Sequence, residues 1–231
     1  MVMTAEPVTI SAIAPTRADI VHLISQAGAP LVFEQCDFNG ADLSRLDLQD
    51  AQFRNCSFRD TCLFAASLAR TQCQRCRAGQ ADFASADLVD AHFDSCDLNN
   101  TIWRRARMAS ATFNGCKLTG AHFEEVGQLG LVLRNSLMVG AYCCRMSFHK
   151  ARLVGIDFQD ADLSGCDFRE AVFEDCSIRH AHLTDTRFEG ADLRGADIAG
   201  VKLSNAKLFK GATISHRQAA ELMLELGLLV G

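Results

Sequence analysis

Between Leu31 and Phe209 an apolar residue returns at every fifth position without losing phase. That interval matches neither an α-helix, whose faces recur about every 3.6 residues, nor a strand, whose faces alternate. The series runs Phe33, Phe38, Leu43, Leu48, Phe53, Phe58, Leu63 and Leu68, and later Phe158, Leu163, Phe168, Phe173, Ile178, Leu183 and Phe188, ending at Leu208. Two residues before most of these centres stands a small residue, as at Cys36, Ala41, Ala51, Cys56, Ala81, Ala161, Cys166 and Ala191. The unit is small, polar, Phe or Leu, polar, polar.

A backbone satisfies this period if each unit forms one side of a square coil, with the centre and the small residue turned inward. Four units then make a turn, and successive turns stack at the strand spacing of about 4.8 Å. The sequence allows a check, because residues 20 apart must then share a column. Cys36, Cys56, Cys76, Cys96 and Cys116 do so. The reading is an all-β solenoid of about nine coils, roughly 40 Å long on that spacing. Such an array buries its apolar faces only between neighbouring repeats, so residues 31–213 count as one elongated domain.

With 11 cysteines the chain invites a disulfide or metal reading, but seven of them occupy the small-residue slot. A free cysteine behaves there as a small hydrophobe. The single CxxC, Cys73 to Cys76, has no second pair to complete a tetrahedral zinc set, so no metal or cofactor is expected. No histidine, cysteine or serine recurs with an orienting acid in a catalytic arrangement; His180 and His182 lack a third partner, and an enzyme is not expected. The net charge of -5 argues against a basic surface for direct nucleic-acid binding. Neither a membrane-length apolar run nor a signal peptide is seen, and a cytoplasmic protein is the expectation.

The ends differ from the repeat. Residues 1–30 read as a flexible arm, with an extended piece near Val8 to Ile13, followed by a helix with Thr16 as N-cap, Asp19 three residues on, and Ile20, Leu23, Ile24 and Ala27 on one face. Residues 214–231 begin with a capping box, Ser215 to Gln218, ahead of an apolar stripe. The stripe exceeds what covering the last coil requires. Ala219, Leu222, Met223, Leu226 and Leu229 are therefore expected to form a two-fold dimer interface.

The period also weakens internally. Cys73 and Ala78 are small centres, which should leave the core underfilled. Around 124–137 a glutamine, Gln128, sits at a centre while Leu129, Val132, Leu137, Val139 and Tyr142 fall at outward positions among three glycines. A projecting partner-binding loop is expected there, carrying Glu124, Glu125, Gln128, Leu129, Leu131 and Arg134. Looping out ten residues would return Cys166, rather than Cys176, to the cysteine column.

A small, Asp/Asn, Leu/Phe, X, X repeat over this length resembles the pentapeptide-repeat family, which implies a right-handed quadrilateral β-helix. The ending Gln218-Ala219-Ala220-Glu221-Leu222-Met223-Leu224-Glu225-Leu226-Gly227 resembles that of the Qnr quinolone-resistance proteins. This resemblance implies a homodimer, shaped like duplex DNA, that binds DNA gyrase or topoisomerase IV and protects it from a fluoroquinolone or a natural-product toxin. Two departures stand out: no phase break marks a first loop, and an N-terminal arm and helix are added. Total charge does not make a DNA mimic, since 31–210 holds 24 acids against 21 bases. Pattern does more, since 151–210 holds 11 acids against 8 bases. Asp157, Asp160, Asp162, Asp167, Asp192 and Asp197 are the expected acidic surface. A structural or adaptor protein with another protein partner is the competing reading.

Overall fold

Each five-residue side must end in a sharp corner, and the computed structural model shows the conformation that makes it. Residues 8–26, 29–201, 207–225 and 228 are described. The last residue of nearly every side is left-handed, with φ of 58° at Arg45, 54° at Asn55, 53° at Ala65 and 65° at Gly40. An L-residue pays roughly 1–2 kcal/mol there, less when Gly, Asn or Asp fills the place. The residue before the centre supports the same corner. Asp37 Oδ1 accepts the Asn39 amide at 2.8 Å, Asp42 that of Ser44 at 2.9 Å and Asp157 that of Gln159 at 2.9 Å. The frequent aspartates are thus explained first by the local turn.

The chain forms two compact units, Met1–Val132 and Leu133–Gly231. In the first, β1 (Val8–Ser11) and α1 (Arg17–Gln26) precede β2 (Leu31–Glu34), β3 (Gln52–Arg54), β4 (Gln72–Gln74), β5 (His92–Asp94) and β6 (Thr112–Asn114). All pair in parallel, and from β2 onward the register is 20 residues, as in Phe33↔Phe53 and Phe93↔Phe113. The other sides repeat that offset through single bridges such as Asp37↔Ser57, Asp42↔Cys62 and Asp47↔Ser67. In the second unit Arg134, at the end of β7 (Val132–Arg134), pairs with Val154 of β8 (Arg152–Val154), and β8 pairs with β9 (Val172–Glu174). There β10 (Cys176–Ser177) pairs with β11 (Ala196–Asp197), and α2 (His216–Glu225) follows. The architecture is the right-handed quadrilateral β-helix with a short helix toward each end.

Inside the first unit the centres stack ring on ring. Phe33 lies over Phe53 at 5.2 Å, Phe38 over Phe58 at 4.7 Å, and Phe83 over Trp103 at 4.2 Å. Where Cys73 and Ala78 replace large centres the stack is interrupted, and a cavity of about 20 Å³ remains between Phe53, Phe58, Phe83 and Phe93. The small slot does more than save space: Cys56 and Cys76 thiols donate to the carbonyls of Phe33 and Phe53 at 3.3 Å, and the Thr61 hydroxyl donates to that of Phe38 at 2.7 Å.

The extended piece expected near Val8 to Ile13 is a strand, Val8–Ser11, in register with Leu31–Glu34, because the open edge of β2 offers it backbone partners. One expectation is corrected. Residues 124–137 do not project. The turns continue unchanged through them, with Met108 N donating to Gly127 O at 2.6 Å, Ser110 N to Leu129 O at 2.8 Å and Val132 N to Ala111 O at 2.9 Å. Coil closure comes from backbone pairing at every side, which tolerates a half-buried Gln128 at one centre. Within the second unit Asp157 N donates to Ser136 O at 3.1 Å and Ser177 N to Ile156 O at 2.9 Å, so Cys176 shares a column with Ile156 and Ser136.

The end helices form as their caps dictate. Thr16 N donates to Asp19 Oδ2 at 2.8 Å, and hydrogen bonds from Thr16 hold the Asp19 carboxyl below its usual range. Ile20 is fully buried against the first coil, and the Arg17 guanidinium donates to the Asp42 and Ser44 carbonyls at 2.7 and 2.8 Å. Leu23 and Ile24 are half-buried on the same side, and Ala27 lies outside the described residues.

Candidate partner-binding surface

The six aspartates expected to form an acidic surface all lie in the second unit, but they are not equivalent. The Asp167 carboxylate receives the Arg169 guanidinium through Nε at 2.8 Å and Nη2 at 2.6 Å, and these bonds hold its carboxyl down to about 2. Asp192 is clasped by Arg194 in the same way, and its carboxyl is also held low. Asp197 has Arg179 at 3.8 Å. Among the described residues no ion pair engages Asp157, Asp160 or Asp162. Burial would raise the Asp162 carboxyl, but hydrogen bonds from Ser164, with smaller help from Cys144 and His182, leave it below the usual range. Three charges of the six are therefore uncommitted. The signal that separates them was present in the sequence: an arginine stands two residues after Asp167 and Asp192, which the side-chain geometry of a strand places alongside.

At the C-terminus Ser215 and Gln218 form the capping box, with Ser215 N donating to Gln218 Oε1 at 2.6 Å. Gln218 is almost fully buried, and its amide also donates to the Leu193 and Ala196 carbonyls at 2.8 and 2.7 Å. One side chain thus starts α2 and closes the last coil. Ala219, Leu222 and Met223 are half-buried, Leu224 is 55% exposed, and Leu226 and Leu229 lie outside the described residues.

Of the six residues placed on the expected loop, Glu124, Glu125, Gln128, Leu129 and Leu131 belong to the first unit and Arg134 to the second, all on coil backbone. Glu125 takes the Arg105 Nε at 2.7 Å, and Leu129 is 84% exposed. Tyr142 in the second unit, one of the outward residues of the same disturbance, is exposed as its position in the repeat requires.

No helix among the described residues is long and apolar enough to cross a membrane. Nor do the described residues bring together three side chains able to hold a metal ion. What remains is a repeat solenoid presenting flat, ladder-like faces, a class of fold used for protein interaction. The pentapeptide repeat region model matches residues 31–103 and 46–123, and the model of eight pentapeptide repeats matches 130–165, 151–189 and 171–208. The chain belongs to the pentapeptide-repeat family.

Among solved structures it is similar to trypsin-treated QnrB1, a plasmid-mediated fluoroquinolone resistance protein, with a TM-score of 0.70 at 21% identity over 86% of this chain and 99% of the other. Full-length QnrB1 gives 0.59 at 19% identity over 96% and 99%. HetL, a pentapeptide repeat protein involved in heterocyst differentiation regulation in the cyanobacterium Nostoc sp. strain PCC 7120, gives 0.51 at 22% identity over 81% and 86%. These likenesses establish the fold. No curated protein sequence matches the chain.

Proposed function

We propose that the protein is a non-enzymatic guard of a type II topoisomerase, DNA gyrase or topoisomerase IV, that shields it from an inhibitor by occupying the surface where duplex DNA would lie. The observation that carries this reading is the set of uncommitted carboxylates, Asp157, Asp160 and Asp162, on the regular sides of a β-helix. Fixed anionic groups on a rigid ladder offer a DNA-binding protein what a phosphate backbone offers it. The structural likeness to QnrB1 and the resemblance of the C-terminal stretch to Qnr endings support the assignment. Paired through the apolar side chains of α2, two copies form the acting homodimer in the cytoplasm, and neither contacts nucleic acid directly.

A second reading, an adaptor for another protein partner, is favoured by the regular coil at 124–137, which lacks the projecting loop expected of a Qnr-like guard. A gyrase supercoiling assay separates them. With protein titrated in, the guard reading predicts restored supercoiling in the presence of a fluoroquinolone or albicidin. Neither protection nor inhibition at micromolar protein leaves the adaptor.

A further inference from the structure

The second unit carries a groove of about 320 Å³ on its outer surface, at the lower end of the size range of ligand pockets. Its long wall is one column across three coils, since Tyr142 bridges to Asp162 and Asp162 to His182. Tyr142 is 44% exposed and presents an aromatic ring to solvent. The groove opens at Gly140, where a β-carbon would meet nothing within 4 Å, and Asp160 stands one coil further on. Asp160 accepts the Gln159 side-chain amide at 3.1 Å and Asp162 the Ser164 backbone amide at 3.0 Å. A carboxylate has about four acceptor sites, so both keep capacity for further donors.

We propose that this groove receives an arginine side chain of a protein partner, its guanidinium lying on the Tyr142 ring and donating to Asp160 and Asp162. The chemistry selects that group. Two carboxylates repel an anion, and the described residues offer no three-ligand set for a metal ion. A planar guanidinium can stack on an aromatic face and present several N–H donors at its edge, which a lysine ammonium cannot do together. The inference rests on reading the uncommitted carboxylates as the partner-facing surface, and narrows it to one side chain.

Tyr142 is the chain's only tyrosine, so ring-labelled tyrosine gives a single NMR reporter in the full-length protein. Titration with acetyl-arginine amide at about pH 8, where an ordinary histidine is neutral, should shift that signal saturably. Acetyl-citrulline amide, of the same shape without the charge, should not saturate. Two variants read the groove. Asp160→Asn with Asp162→Asn keeps the acceptor for the Ser164 amide and should weaken binding about tenfold. Gly140→Asn fills the open end, in a left-handed conformation that Asn55 and Asn100 already adopt, and should abolish saturation. Equal shifts from arginine and citrulline, no shift, or saturation unchanged in Gly140→Asn would overturn the proposal. Topoisomerase protection without saturation here removes the groove and leaves the guard reading; saturation without protection does the reverse.

Discussion

At the scale of single residues, the corners and the slots impose opposite demands on the same side chain. Ala65 sits at a corner with φ of 53°, and Ala66 next to it is fully buried in a slot. Glycine at 65 removes roughly 1–2 kcal/mol of strain but frees the unfolded chain by about 0.4–1 kcal/mol. Ala65→Gly should therefore raise stability in urea unfolding by about 0.5 kcal/mol. Ala66→Gly, which relieves nothing and removes a buried methyl, should lower it by about 1 kcal/mol. The Asp167–Arg169 pair predicts a pH window. The folded carboxyl is held down to about 2 against an ordinary 3.8, so the pair's contribution is complete above the ordinary value and is lost as pH falls through the folded one. Asp167→Asn should cost about 1 kcal/mol at neutral pH, given partial solvent screening, and nothing once the pH is well below 2. Acid titrations of the two proteins should converge there. Thiol chemistry follows burial in the same way: burial pushes the Cys166 thiol up to about 12, and Cys143, also buried, well above its ordinary value. Brief alkylation read by mass spectrometry should label half-buried Cys62 and Cys144 well before either.

Among the elements, α2 depends on one glutamine for both its start and its seat. Removing the Gln218 side chain takes its donor from the Ala196 carbonyl and one of two donors from that of Leu193, which keeps the Ala196 amide, a loss of about 2 kcal/mol. Gln218→Ala should speed amide exchange in the last coil while leaving the first unit unchanged. Leu222→Asp with Met223→Asp should instead leave the coils intact and, if the half-exposed stripe joins two copies, reduce the mass seen by light scattering to that of one chain. The capping boxes at both ends could be read from sequence, because Thr16 with Asp19 and Ser215 with Gln218 are local signals. The segment 124–137 could not. Outward apolar residues and a polar centre together argued for a loop, yet side-chain preference at one centre is weak against backbone pairing on every side of the coil. Gln128 shows that the repeat tolerates a misfit which its period does not reveal.

For the molecule as a whole, the five-residue period determined the architecture because only a square coil places every centre inward, and β2 through β6 confirm the 20-residue register it requires. The surface was less legible. Charge counts treated six aspartates alike, whereas two are clasped by their own arginines and three are left uncommitted in the second unit. Function, on this account, depends on that remainder. The most direct test compares two variants in the gyrase protection assay: Asp157→Lys, Asp160→Lys and Asp162→Lys together, and Asp167→Asn with Arg169→Gln. The first should lose protection at least about tenfold, as removal of several charge-assisted contacts implies, while the second protects like the parent. Undiminished protection by the charge-reversed protein, with its fold intact by circular dichroism, would contradict the central claim.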